Sequence, residues 1–316
     1  MLAARSLPAL LFTLSLLGCG PTQPEPGSVV IPDDDDDSST GDDDDTTAAD
    51  DDDDTTAPSD LRAWTVLAET EVLGAGSVSL GFRAAAAASF SSGEPRPFGD
   101  PAVWDGLPLP GAGLHPEAFT DDEGCTLLTS TDPLDPLPAS DPVGGVVNLV
   151  PTTAAATLVL ADAGGIYTWD DTVALGATTY SIGIKGGADW PPATLEAVLS
   201  LPPPATGFLQ GPGGAISNLA VIEFRWSELD DPGGVEVMMF RWTTANQTAW
   251  AAVRCTSEDD GSVFIDASSL AAGNGDITVT VSRAGWVTDG MQAGGRAVNA
   301  HLGAIRSVEY RLTPGG

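Results

Sequence analysis

The chain has 316 residues, with 45 acidic against 12 basic side chains and a formal net charge of −33. Its one lysine is Lys185, and no basic run or basic helix occurs, which argues against a nucleic-acid partner. Hydrophobic residues make up 42% of the chain, enough for a packed core, and 37 glycines with 25 prolines favour short strands and turns over helices.

The chain opens with the layout of a secretory signal. Arg5 supplies a small positive region, and an apolar run from Leu7 to Leu17 follows, too short to cross a bilayer as a stable helix. The run closes on Leu16-Leu17-Gly18-Cys19, which resembles the lipobox of bacterial lipoproteins. The resemblance implies cleavage after Gly18, a diacylglyceryl group on the Cys19 thiol and a further acyl chain, such as palmitate, on the new amino terminus. At about 0.8 kcal/mol per buried methylene, two or three chains hold a protein durably at a membrane. The competing layout is a plain secreted protein with a cysteine near its cleavage site. No apolar run long enough to span a bilayer follows Cys19, so the expected attachment is the lipid. The expected location is the cell envelope, at the outer membrane or cell surface rather than the inner membrane.

Residues 19–60 follow as a tether. Aspartates run from Asp33 to Asp37, Asp42 to Asp45 and Asp50 to Asp54, with small and polar residues between them. Such a segment has too little apolar area to offset the entropy of ordering, and its like charges repel, which predicts an extended, disordered spacer. Weak, diffuse binding of divalent cations is expected there. A defined calcium loop is not, because no Asp-x-Asp-x-Asp-Gly spacing occurs.

From residue 61 onward, short apolar runs alternate with Gly, Pro, Asp and Asn clusters. Asp276 to Ser282 alternates polar and apolar residues strictly, and Ala220, Ile222, Phe224 and Trp226 fall on one face of a second run. Further strands are predicted at 146–150, 157–161, 166–169, 179–185, 194–201, 235–242, 249–255, 262–266 and 305–312. The alanines at 84–88 have helical propensity, but Ser77-Val-Ser-Leu-Gly-Phe82 before them alternates, so the stretch reads as a strand. Ser268 to Ala272 reads as one short helical turn, and Phe90 to Thr120 as long loops. Turn chemistry is present at Asp162-Ala-Gly-Gly165, Asp231-Pro-Gly-Gly234 and Asp259-Asp-Gly261. The spacing predicts an all-β chain of two immunoglobulin-like β-sandwich domains. Leu201-Pro-Pro-Pro-Ala205 is the expected boundary, giving domains at 61–204 and 205–316.

Parts of this region resemble uncharacterised cell-envelope lipoproteins of myxobacteria-like organisms. The residues that carry the resemblance are Val253-Arg-Cys255, Gly261-Ser-Val-Phe-Ile-Asp266, the closing Gly303-Ala-Ile-Arg-Ser-Val-Glu-Tyr-Arg-Leu312, and Gly165-Ile-Tyr167 with Gly176 and Gly186-Gly187. The resemblance covers most of 140–316. It implies a β-sandwich surface lipoprotein and carries no chemistry with it.

No catalytic or metal motif stands out. His115 lies in a Pro/Gly loop and His301 between predicted strands, neither in a zinc-type context, so no metal or other cofactor is expected. There is no Gly-x-Ser-x-Gly elbow, Walker sequence or dinucleotide fingerprint. Cys125 and Cys255 either pair as a disulfide or sit apart as small buried hydrophobes. Trp104 and Trp190 are flanked by Asp and Pro, as rings presented to a ligand would be; the alternative is core packing. The expected function is therefore non-enzymatic: a membrane-anchored lipoprotein with a structural or adhesive role. The competing expectation is an envelope glycan-binding module or hydrolase that uses loop carboxylates with Trp104 or Trp190. The identity of a protein or glycan partner stays open.

Overall fold

A computed structural model describes residues 61–92, 103–104, 107–116, 119, 124–132, 140–206, 215–216, 219–229, 234–288 and 290–314. The signal, Cys19 and the aspartate tether lie outside the described residues. The chain is all-β. Its strands are β1 (Leu61–Leu73), β2 (Ser79–Ser91), β3 (Val103–Trp104), β4 (Leu107–Pro108), β5 (Gly124–Thr129), β6 (Val146–Pro151), β7 (Leu158–Asp162), β8 (Tyr167–Asp171), β9 (Thr179–Ile184), β10 (Ala193–Ser200), β11 (Ala215–Ile216), β12 (Ile222–Arg225), β13 (Gly234–Trp242), β14 (Trp250–Glu258), β15 (Ser262–Ile265), β16 (Asn274–Val287), β17 (Gly290–Ala293) and β18 (Arg296–Pro314). Among the described residues only three short 3-10 turns are helical, one of them at Ser268–Leu270.

Fourteen strands join in one sheet, ordered β10-β9-β6-β7-β8-β2-β1-β18-β16-β13-β14-β5, with β11 and β17 attached to β18. Strands β12 and β15 form a separate ribbon, as do β3 and β4. The first and last long strands, β1 and β18, lie parallel at the centre, from Leu61 beside Val298 to Val72 beside Glu309. Central position explains their composition. Leu61, Ala63, Trp64, Thr65, Val66 and Leu67 are all buried, because both faces of β1 are covered along this stretch. The alanines of β2 are explained in the same way. Ala86 and Ala88 enter one core while Ala87 enters another on the opposite face, and burial overrides their helical propensity.

Two cores lie on one face of the sheet, following strand alternation along β18. The first gathers Leu61, Leu67, Phe90, Leu149, Leu160, Tyr180 and Trp190 with Val298, Ala300 and Leu302, where strands β6 to β10 fold back over β1, β2 and β18. The second gathers Phe224, Val237, Met239, Val253, Val279, Tyr310 and Leu312, where the β12–β15 ribbon covers β13, β14, β16 and the end of β18. Between them on β1 and β18 sits an ion pair, Arg306 Nε to Glu69 Oε1 at 2.9 Å, and Glu69 Oε2 accepts the Leu175 amide at 2.6 Å. Burial, with the nearby Glu69 carboxylate adding to it, raises the Tyr180 hydroxyl above the ordinary phenol range.

The expected boundary at 204/205 coincides with a change of core, since chain up to Leu201 supplies most of the first and chain from Ala205 all but one residue of the second. It does not coincide with a break in the sheet. Strand β1 pairs with β18, β5 pairs with β14, and residues Asp54–Gly316 form one compact unit. The polyproline segment is itself tied down. Buried Arg283 donates from Nη1 to the Pro204 carbonyl at 2.8 Å, from Nη2 to the Ser227 carbonyl, and from Nε and Nη2 to the two Asp259 oxygens at 2.9 Å each. Asp259 Oδ1 also accepts the Trp226 indole N–H at 2.7 Å. This network fastens the β12–β15 ribbon to β16.

Candidate functional site

Among the described residues, the other face of the sheet is covered only in part. Segment Leu107–His115 crosses it at one place, packing Leu109 and Ala112 on Trp64, Val66, Ala87 and Ile305. Fully buried Glu236 of β13 holds that segment, accepting the amides of Gly111 at 2.7 Å and Gly113 at 2.8 Å. Arg254 of β14 pairs with Glu236 at 3.4 Å and donates from Nη2 to the Leu109 carbonyl at 3.0 Å. The two glycines are required. Gly111 has φ +79°, and a Cβ there would lie 2.9 Å from Ile305; a Cβ on Gly113 would lie 2.9 Å from Glu236 Oε2.

Beside this segment the sheet face stays open as a groove of about 880 Å³, within the roughly 300–1,000 Å³ typical of ligand clefts. Its floor is Ala85 of β2, Ala68 and Thr70 of β1, Ser307, Glu309 and Arg311 of β18, and Thr278 and Thr280 of β16. One wall is Leu107 to Pro110. The other is Ala163, Ile166, Thr168, Trp169 and Asp170, from β8 and the turn before it. That turn is ordered by its own chemistry: Gly164 and Gly165 take positive φ, and Gly165 donates its amide to Asp162 Oδ1 at 2.9 Å.

Residues Met238, Phe240 and Trp242 of β13 bring an aromatic ledge to the groove. Phe240 meets Trp242 edge-on at 5.1 Å, and Trp250, the cross-strand partner of Trp242, backs Phe240 at 5.9 Å. Trp242 and Phe240 are half-buried while Trp250 is buried, so the ledge is a supported surface with partly open rings. Its charges balance. Exposed Arg83 makes a two-pronged contact with Glu309, at 3.1 and 3.5 Å, and Arg311 and Asp170 add one charge of each sign.

Three of the residues singled out in the sequence, Cys125, Cys255 and Trp190, are placed elsewhere. Cys125 and Cys255 are directly opposed on β5 and β14, Cα atoms 4.0 Å apart, and form a disulfide at the edge of the sheet. Trp190 is a correction to the ligand-contact expectation: only 1% exposed, it packs edge-on against Phe90 in the first core. Its Asp and Pro neighbours shape a bend in the backbone while the ring turns inward. Trp104 lies in β3, paired with Leu107 of β4, and its side chain is outside the described residues. His115 and His301 meet under the crossing segment, Nε2 to Nδ1 at 3.1 Å and both buried, with Trp286 edge-on to His115. Among the described residues, no three His, Cys, Asp or Glu side chains are grouped to hold a metal ion.

Sequence reasoning missed the groove because its residues come from positions 68 to 311. A local signal exists nonetheless. Thr278, Thr280 and Ser282 share one face of the cleanest alternating strand, and Phe240 and Trp242 stand two apart, so both sets had to point away from the core those strands cover. No protein-family model matches this chain, and no similar protein is found among curated sequences.

Proposed function

We propose that the protein is a non-enzymatic, lipid-anchored cell-envelope protein that holds an all-β binding body at the end of an acidic tether. The observation that carries the binding role is the groove: an open sheet face with a supported aromatic ledge, a floor of short hydroxyls and balanced charge. A face with no ligand to meet gains nothing from half-buried Trp242 and Phe240 beside an ion pair. The anchoring role rests on Leu16-Leu17-Gly18-Cys19 and on the aspartate spacer, which would keep the body clear of the membrane. Weak, exchangeable divalent cations would accompany the spacer as counterions. The acyl chains are the attachment, so the Cys19→Ser protein, expressed in a bacterium that processes lipoproteins, moves from the membrane pellet to the soluble envelope fraction and no longer incorporates labelled palmitate. A variant that still pellets with membranes defeats the anchoring reading.

A further inference from the structure

We infer that the groove binds a neutral oligosaccharide, with a sugar ring on the Trp242–Phe240 ledge and its hydroxyls on the Arg83–Glu309 pair. The inference rests on the binding role proposed above and names the ligand class.

Four observations narrow the class. First, the floor strands β1, β18, β16 and β13 are each paired on both sides, so their backbone groups are already used and an extended peptide cannot add there as a strand. A ligand in the groove is read by side chains. Second, the floor offers short, half-buried hydroxyls at Thr70 and Thr278, each able to donate or accept, whereas the Ser307 hydroxyl is buried and taken by Ser282 Oγ at 2.8 Å. A ligand that is itself a set of hydroxyls matches them; an acyl chain, which wants continuous apolar walls, does not.

Third, the charges cancel. Arg83 and Arg311 stand against Glu309 and Asp170 in a chain whose net charge is −33. A polyanion meets carboxylates and the field of the whole chain, and a cation meets the arginines, whereas a neutral ligand meets neither penalty. The Arg83–Glu309 pair then serves vicinal hydroxyls well, one end donating N–H and the other accepting O–H. Fourth, the ring faces are electron-rich and partly open, and a sugar ring presents a face of C–H groups with positive edges toward them. Thr168 and Asp170 on the opposite wall give a longer ligand further polar contacts.

The experiment uses the full-length lipidated protein in a zwitterionic detergent without a sugar headgroup. Calorimetry and tryptophan fluorescence are recorded with three sets of probes: neutral tetrasaccharides (glucose-, mannose- and N-acetylglucosamine-based, in α and β linkages), uronic-acid tetrasaccharides, and a library of short peptides. The expected result is saturable binding of at least one neutral tetrasaccharide, weakened at least about tenfold by Trp242→Ala, and less by Trp242→Phe, which keeps a ring. Phe240→Ala provides a second variant on the same ledge should Trp242→Ala disturb folding, and each variant is checked by circular dichroism. Absence of binding by every neutral tetrasaccharide overturns the inference, as does binding that neither ledge variant changes. If a uronic-acid probe or a peptide binds alone, and Trp242→Ala abolishes it, the sugar class is wrong while the binding role of the groove stands. If no probe in any set binds in a way either variant affects, both readings fall.

Discussion

Removing the Asp259 carboxylate is the sharpest test of how the second half of the molecule is held. Asp259 and Arg283 are each 4% exposed at the side chain and joined by two hydrogen bonds of 2.9 Å, and Asp259 also accepts the Trp226 indole N–H. In Asp259→Ala the guanidinium keeps the Pro204 and Ser227 carbonyls but loses its counter-charge, and the indole loses its acceptor. Breaking a buried ion pair by deleting one partner costs about 3–5 kcal/mol. That is a large share of the roughly 5–15 kcal/mol that stabilises a folded domain. The double variant Asp259→Ala/Arg283→Met removes the stranded charge and leaves two carbonyls without their donor and the Trp226 indole without its acceptor. It is therefore expected to lose about 1–3 kcal/mol, less than the single variant. Urea unfolding of the full chain, followed by tryptophan fluorescence, gives the midpoints and slopes from which both numbers follow. Added salt leaves the difference in place, because a buried pair is little screened. The reasoning is refuted if Asp259→Ala lies within 1 kcal/mol of the unmodified protein, or if the double variant is no more stable than the single one.

Three further outcomes follow from the same kind of reading. Reducing the Cys125–Cys255 disulfide, which spans 130 residues, is expected to lower stability by about 5 kcal/mol on the chain-entropy estimate, an upper figure, and the urea midpoint with and without reductant measures it. Glu236→Ala strands Arg254 and frees the Gly111 and Gly113 amides, costing about 3–5 kcal/mol and loosening segment Leu107–His115, seen as faster amide hydrogen exchange there with little change in the first core. Burial raises the phenolic groups of Tyr310, strongly, and of Tyr180, so the folded state holds these protons more tightly than the unfolded chain. Stability from this source is intact below the ordinary tyrosine value of about 10 and falls as pH rises beyond it, so unfolding midpoints between pH 9 and 11 should decline. An absorbance titration in which Tyr180 and Tyr310 ionise near the ordinary value of about 10 in folded protein would contradict that reading.

The legible part of the fold was the part with one wet face. Strands β6 to β10 and β12 to β16 alternate, or are bounded by turn residues, and the sequence places them within a few positions of where they lie. The central strand β1 and the first half of β18 escaped notice for a definite reason. Leu61 to Leu67 and Val298 to Ile305 are buried on both faces, so no period of two survives in their residues. A strand that gains most from burial is thus the one whose pattern says least. Strand β5 was missed for the opposite reason. It is a largely exposed edge whose placement depends on pairing with β14 and on the Cys125–Cys255 bond, which are contacts across 130 residues.

The same asymmetry governs the candidate site. Trp190 looked available because its neighbours Asp189, Pro191 and Pro192 are loop-formers, but those residues describe the path of the backbone and not the direction of the ring. Trp242 ends an apolar strand, and alternation assigns it, with Phe240 and Met238, to the face opposite Val237 and Met239. Which face of a strand is covered depends on the layers above and below it, and here the β12–β15 ribbon covers one face while, among the described residues, Leu107 to His115 crosses part of the other. That segment is short, and its hold depends on Glu236 and on two glycines that no side chain could replace without meeting Ile305 or Glu236 itself. Its Leu107 to Pro110 stretch forms one wall of the groove. Loosening it through Glu236 should therefore alter ligand affinity even though Glu236 lines no part of the groove, whereas breaking the Asp259–Arg283 network on the other face should change stability and leave affinity per folded molecule unchanged.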